Sequence, residues 1–489
     1  MKNIKEEINI QNTTPLFTAM KEYDKSDMTY FDVPGHKKTT TIDEFTSYFG
    51  EAIMGIDVNS SKPLDNLSNP IGVIKEAEEL MAELFGASDA FFLVNGTTSG
   101  IQAMIMAVCN PGEKIILPRN VHRSAINGLI LADAIPVYIE PVINDELGIA
   151  FNVDIQSVKD VILNNLDAKA ILITNPTYYG FATDLKEIVD FAHEHNMLVL
   201  VDEAHGTHFD FNDSFPISAM SAGADISSMS LHKTGGSLTQ SSVLLLNDKK
   251  IKSSHIKTIL NIMQTTSASY LLMASLDVAR KNMAINGKSE FKRVLELSRY
   301  AREEINKIDG LSSFGCELIG SKSIHSFDET KLSIKVNDIG LTGLEVYDIL
   351  RDKYNIQMEF GDAYHTLAVI SLGDTKQSID ILITALKDIA KNYKTNKPII
   401  NKIALHNPQV IVSPRDAFYS HKKQLKLKDC VGAVSAEFIM AYPPGIPIVT
   451  PGEMINQDII DYIEFLKTQN SMLTGTQDPY VDFINVLGY

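Results

Sequence analysis

The sequence contains no tryptophan and three cysteines, Cys109, Cys316 and Cys430, in 489 residues. Cysteines so sparse, odd in number and without a C-x-x-C pair exclude a disulfide framework and fit reduced thiols in a reducing compartment. Cys109 closes a helical apolar pattern and reads as core. Positive charge is also scarce: 44 Lys and Arg stand against 61 Asp and Glu, a formal net charge of −17. So acidic a chain is repelled by nucleic acid and by anionic membrane surfaces. The same balance suits a cationic substrate, though solubility alone accounts for it. No apolar run approaches the roughly 18 residues that span a bilayer. The opening MKNIKEEINIQNTTPLF lacks the apolar stretch of a secretory signal. The expectation is a cytoplasmic protein with neither a membrane nor a nucleic-acid partner. Internal repeats and low-complexity tracts are missing too.

What is present is the balance of a globular enzyme, 44% hydrophobic and 21% charged, at a length that predicts two or three domains. Residues 1–69, with the turns Val33-Pro34-Gly35-His36 and Asp65-Asn66-Leu67-Ser68-Asn69-Pro70, read as an arm of short elements. Over 70–320, apolar runs at 90–94, 114–117, 136–140, 170–174, 198–201, 225–229 and 243–246 alternate with helical patterns. That alternation predicts an α/β domain on a mostly parallel, seven-stranded sheet. One helix runs over 71–85 until Gly86 stops it, and Asp184 with Glu187 marks the start of another. Residues 321–392 predict a small α+β domain: strands over 331–336 and 356–360, helices over 343–351 and 378–391. A linker over 391–402 leads into a C-terminal α+β domain, 393–489, with the run Tyr442-Pro443-Pro444-Gly445-Ile446-Pro447.

Four features carry chemistry, each at the carboxyl end of a predicted strand, where α/β sheets place their ligands. Ser230-Leu231-His232-Lys233 precedes Thr234-Gly235-Gly236-Ser237. A lysine at the exit of a buried strand is poorly solvated, which favours the neutral amine that attacks an aldehyde. Ser230 and His232 can donate to a phosphate. Asp202, in Asp202-Glu203-Ala204-His205-Gly206, is a strand-end carboxylate that needs a cationic partner, such as a protonated pyridine nitrogen; the plainer reading is a turn cap. Asn95-Gly96-Thr97-Thr98-Ser99-Gly100 leads into a helix and offers hydroxyls and N–H groups for a phosphate. His122, in Arg119-Asn120-Val121-His122-Arg123-Ser124, can stack on a flat ring, although alone it reads as a loop histidine.

Together, Asp202-Glu203-Ala204-His205-Gly206, Ser230-Leu231-His232-Lys233-Thr234 and Gly236-Ser237-Leu238-Thr239-Gln240-Ser241-Ser242 resemble the bacterial ornithine/lysine/arginine decarboxylases, which have the aspartate-aminotransferase fold, pyridoxal-phosphate (PLP) fold type I. The likeness extends from Val33-Pro34-Gly35-His36-Lys37 to Pro451-Gly452-Glu453. It is greatest with the short biosynthetic arginine decarboxylases, through Arg119-Asn120-Val121-His122 and Pro414-Arg415-Asp416-Ala417-Phe418. The resemblance implies pyridoxal 5'-phosphate as cofactor, joined covalently to Lys233. It implies Asp202 on the pyridine nitrogen, His122 on the ring face, and Ala204 and His205 lining it. Thr97, Thr98, Ser230 and His232 would hold the phosphate, with Thr266 or Ser267 from a second subunit. Glu437 matches the acidic residue near the substrate's distal end, and Asp65 is a second candidate. A homodimer or higher homo-oligomer with its active site at the subunit interface is implied. The long members carry an amino-terminal wing that assembles rings; this sequence begins without one, so such rings are not expected. Those members also have tryptophan where His205 stands.

The activity implied is decarboxylation of a small cationic amino acid, most simply L-arginine to agmatine in polyamine (spermidine) biosynthesis, with lysine and ornithine as alternatives and an aminotransferase or lyase of the same fold behind them. Lys233 and His232 are both candidates for returning a proton to Cα. Other classes fit poorly. Asp202-Glu203-Ala204-His205 spells a helicase box, yet the only Gly-Lys-Ser, Gly287-Lys288-Ser289, has Asn282 where the phosphate loop needs glycine. His205 and His208 beside Glu203 lack the HExxH order of a zinc site, so no metal is expected. A non-catalytic binding module would need neither Lys233 nor Asp202.

Overall fold

A computed structural model describes residues 10–38, 43–247, 250–321, 323–395, 408–441, 445–469 and 471–488. Residues 396–402 of the predicted linker, and Tyr442, Pro443 and Pro444, lie outside the described residues. The chain divides into two compact units. The first is built from Met1–Ala107, Leu200–Asp213 and Ile217–Phe291, the second from Val108–Val199, Ser214–Pro216 and Lys292–Tyr489.

The seven predicted apolar runs fall on seven strands: β1 (Asp89–Leu93), β2 (Lys114–Pro118), β3 (Ile135–Ile139), β4 (Ala170–Thr174), β5 (Leu198–Asp202), β6 (Ile226–Met229) and β7 (Ser242–Leu246). They form one sheet in the order β1-β7-β6-β5-β4-β2-β3. Strand β7 pairs antiparallel with both β1 and β6, while β6 is parallel to β5. Strands β1, β5 and β6 therefore run the same way, and their carboxyl ends open on one edge. Strand β2 is parallel to β3 and to β4. Every residue of β7 is buried, which is why it reads as a continuous apolar run rather than an alternating one.

The helices that matter below are α1 (Pro15–Asp24), α2 (Val73–Leu84), α3 (Gly96–Val108), α4 (Arg123–Ala132), α5 (Leu231–Thr234) and α6 (Tyr270–Ile305). Helix α2 ends at Phe85, and Gly86 follows with φ +65°, the left-handed conformation that favours glycine. The Asp184 carboxylate accepts the Glu187 N–H and starts the helix Leu185–Glu194. In the first unit, α6 clamps the amino-terminal segment. Buried Arg280 donates to the carbonyls of Gln11 and Thr13, both at 2.6 Å, and to Asp277 at 2.8 Å. Asp277 in turn accepts the Leu16 and Phe17 N–H groups at the start of α1.

In the second unit, β8 (Lys331–Lys335), β9 (Phe360–Gly361) and β10 (His365–Val369) form a sheet in the order β8-β10-β9. Helices α7 (Gly343–Tyr354), with its Thr342/Glu345 capping box, and α8 (Lys376–Asn392) accompany it. The strand expected over 356–360 shrinks to Phe360–Gly361, and β10 was not anticipated. The Asp362 carboxylate, accepting the N–H groups of Tyr364 and His365 at 2.6 Å, makes a tight turn that moves the long strand one segment downstream. The tail pairs β11 (Lys422–Lys426) with β15 (Phe483–Leu487) and builds a sheet from β12 (Ile439–Ala441), β13 (Pro447–Val449) and β14 (Leu473–Thr474). Helix α9 (Gln457–Thr468) accompanies these strands, and its Ile459 and Ile463 share a core with Ile439, Val449, Val481 and Ile484. No helix among the described residues is long and apolar enough to cross a membrane.

Candidate active site

The carboxyl edge of the first unit gathers three of the four sequence features. Strand β5 ends on Asp202, and the turn behind it carries Glu203, Ala204 and His205. Strand β6 ends at Met229, and Ser230 caps the short α5 that bears His232 and Lys233. Lys233 Nζ lies 2.8 Å from His205 Nε2. Asp202 is 6% exposed and accepts one backbone bond, from Ala204 N–H at 3.2 Å. Burial pushes its carboxyl above the usual aspartate range; the Lys233 charge pulls the other way, as does the Ala204 bond. Glu203 is also buried, and burial raises it well above the ordinary value. Its carboxylate braces the turn by accepting the Ala219 N–H at 2.7 Å and the Ser227 hydroxyl at 3.1 Å.

His232 donates through Nδ1 to the Ser241 carbonyl at 2.9 Å. Burial, opposed by that bond and aided by the charge of Lys233, lowers its pKa and keeps the ring neutral. His208 faces the Thr234 hydroxyl at 3.3 Å.

The turn after β1 supplies the third feature. Gly96 opens α3 with φ +69°, and its N–H donates to the Gln240 carbonyl at 2.9 Å. The buried Thr97 hydroxyl sits 2.7 Å from that of Ser230 and donates to Ser242 at 3.2 Å. Those bonds tie the β1 and β6 loops together. Thr98, on the first turn of the 13-residue α3, is exposed, and it stands beside N–H groups that a helix leaves unbonded.

In the second unit, His122 follows β2 and caps α4, its Nδ1 accepting the Ser124 N–H at 3.2 Å. Three residues earlier, Arg119 forms a buried ion pair with Glu453 at 2.6 Å and donates to the carbonyls of Pro447 and Ile448. Both motifs are visible in the sequence, but 334 residues separate the partners, and nothing local links them. Glu437 accepts from the Gln477 N–H at 3.0 Å, the Asn485 N–H at 2.8 Å and the Asn485 Nδ2 at 2.9 Å. All three donors are neutral, so the negative charge is anchored rather than cancelled. Thr266 and Ser267, on the first unit, are exposed.

Asp65, the second candidate for the substrate's distal end, precedes α2 in the first unit. With φ +67°, it accepts the N–H groups of Asn66, Ile71, Gly72, Ile74 and Lys75 ahead of α2. Burial alone would raise its pKa, but those backbone bonds hold it below the ordinary value. Its contribution to stability is therefore complete above the ordinary aspartate value and lost as pH falls through the lowered one. Asp65→Ala is expected to cost about 2 kcal/mol in a denaturant titration and to leave KM for any substrate unchanged. A raised KM at unaltered stability would return Asp65 to the substrate site.

This donor set fits one kind of group. A buried carboxylate raised by desolvation suits a ring cation, Lys233 suits an aldehyde, and the start of α3 suits a phosphate. Pyridoxal 5'-phosphate carries all three. The sequence matches the family described as "Orn/Lys/Arg decarboxylase, major domain" over residues 14–378, and its C-terminal domain over 397–479. It is 43% identical to the arginine decarboxylase of Bacillus subtilis (strain 168), covering 98% of each chain. It is 42% identical to that of Bacillus anthracis, again covering 98% of each. The fold is similar to the crystal structure of the Francisella novicida lysine decarboxylase, with a TM-score of 0.84, 21% identity, and coverage of 98% of this chain and 82% of that one.

Proposed function

Because this chain belongs to the Orn/Lys/Arg decarboxylase family, we propose that it is a PLP-dependent arginine decarboxylase that releases the α-carboxylate of L-arginine as CO₂ and leaves agmatine. The observation that carries the choice of arginine is the full-length likeness to the Bacillus enzymes. Bound pyridoxal phosphate supplies an electron sink for the pair left on Cα when the carboxylate departs. Lys233 offers the amine that holds the cofactor and gives it up to the substrate. Asp202, at the end of β5, would pair its charge with a positive ring nitrogen and keep it protonated. Thr98 and the N–H groups of α3 anchor the phosphate, and Thr97 with Ser230 holds that loop in register. The resemblance would give His122 the ring face, with Ala204 and His205 also lining the ring. Because His232 is held neutral with its Nδ1 proton on Ser241, we assign return of the proton to Cα to Lys233.

Glu437 is the carboxylate proposed for the distal cation. A guanidinium would pair with it bidentately and an ammonium as a point charge, so lysine or ornithine is the second reading. We further infer a cytoplasmic homodimer serving polyamine biosynthesis, with Thr266 and Ser267 reaching a partner's site. Their exposure supports that, as does the exposure of Phe31, Tyr48 and Ile71. The four-part division at residues 69, 320 and 392 is proposed on the same footing.

The deciding experiment supplies arginine, lysine and ornithine separately to the PLP-loaded protein and measures CO₂. Release from arginine, with agmatine formed, is expected. Release from lysine or ornithine alone would overturn the substrate, and release from none, with cofactor visibly bound, would overturn the activity.

A further inference from the structure

The reaction sets Lys233 a problem that its surroundings sharpen. An amine adds to an aldehyde only when unprotonated, yet the Asp202 carboxylate beside it favours the ammonium. Some group must take the proton. Asp202 is the counter-charge itself, and Glu203 is bonded to Ala219 and Ser227. His208 contacts Thr234, and His232 has its Nδ1 on Ser241. His205 stands apart: it is 6% exposed, it is carried on the same turn as Asp202, and its Nε2 lies 2.8 Å from Nζ, within direct proton-transfer distance.

We propose that His205 is the base that unloads the Lys233 ammonium, making this lysine competent to capture an aldehyde. The inference rests on the reading of Lys233 as the cofactor-bearing residue. His205 Nε2 takes one proton from Nζ, and the freed lone pair forms the new C–N bond. The proton passes from His205 to the aldehyde oxygen. The C–O bond then breaks, and the oxygen leaves as water with that proton and one more from the nitrogen. His205 finishes neutral, and no oxidant or reductant is consumed. The same relay, run at each release of Lys233 to a substrate amine, gives this position a chemical task that a tryptophan there could not perform.

The test needs no turnover. In the full chain freed of cofactor, the rate of pyridoxal phosphate capture is followed by visible absorbance across pH. Separately, acylation of Lys233 by acetic anhydride is followed by peptide mass spectrometry, with the chain's exposed lysines as internal references. His205→Gln keeps an acceptor of similar size that cannot carry the proton. It is expected to slow both capture and Lys233 acylation roughly tenfold or more at neutral pH, leaving the reference lysines unmoved. Wild-type rates in His205→Gln would overturn the proposal. If that variant loses its circular dichroism spectrum, His205→Asn is measured in its place, and there too wild-type rates overturn the proposal and slowed ones support it. Failure of wild type to capture pyridoxal phosphate at any pH would instead sink the decarboxylase reading.

Discussion

Lys233→Ala is expected to lower kcat/KM for arginine by at least ~10³-fold, the scale on which loss of a nucleophilic or acid–base group is felt. The same side chain holds the cofactor, hands it to the substrate and, as proposed, returns the proton to Cα. No neighbour can substitute: His232 is kept neutral by burial and engaged on Ser241, and His205 offers an imidazole, which can move a proton but cannot hold the cofactor as the lysine amine does. Stability should move by less than about 1 kcal/mol, because Lys233 is only half-buried on a four-residue helix. CO₂ release and the visible cofactor band, read together with a thermal melt, separate the two effects. A variant that kept a tenth of the activity would show that another group carries the reaction.

Asp202→Asn should separate activity from stability in the opposite direction. Turnover is expected to fall ~10²- to 10⁴-fold, because a neutral amide cannot keep a ring nitrogen protonated. The cofactor-free protein, however, should become more stable at neutral pH. Burial raises the Asp202 pKa in the folded state, so the native protein holds that proton longer than the unfolded chain does. Stability is unaffected below the ordinary aspartate value of 3.8, falls as pH climbs through the raised value, and stays reduced above it. Asparagine removes that charge and with it the loss. Melts of both apo forms across pH check the sign: the curves should converge in acid and part towards neutrality. A less stable variant at neutral pH would mean that the Asp202–Lys233 attraction outweighs desolvation.

The seven strands were legible because a strand buried on both faces has to be written almost wholly in apolar residues, as β4 and β7 are. The edge residues were legible for a related reason: chemistry-bearing types placed just after such runs stand out. What the sequence could not convey is how a carboxylate is used. Asp65 and Glu437 look alike as candidates, yet one accepts five backbone N–H groups and the other two backbone N–H groups and the Asn485 amide. Nor do letters 28 apart announce that Lys233 and His205 meet. The β10 strand was missed because its turn depends on the Asp362 side chain folding back on its own backbone.

The clamp at Arg280 also sets an order in time. Its carbonyl partner at Thr13 precedes it by 267 residues, so a growing chain, at about 5–20 residues per second, exposes the start of α1 for on the order of 10–50 s before the side chain that fastens it exists. Through that interval the Leu16 and Phe17 N–H groups lack the Asp277 carboxylate that accepts them in the finished protein. A nascent chain halted before residue 280 should present this segment to a chaperone or a protease, and one released past it should not.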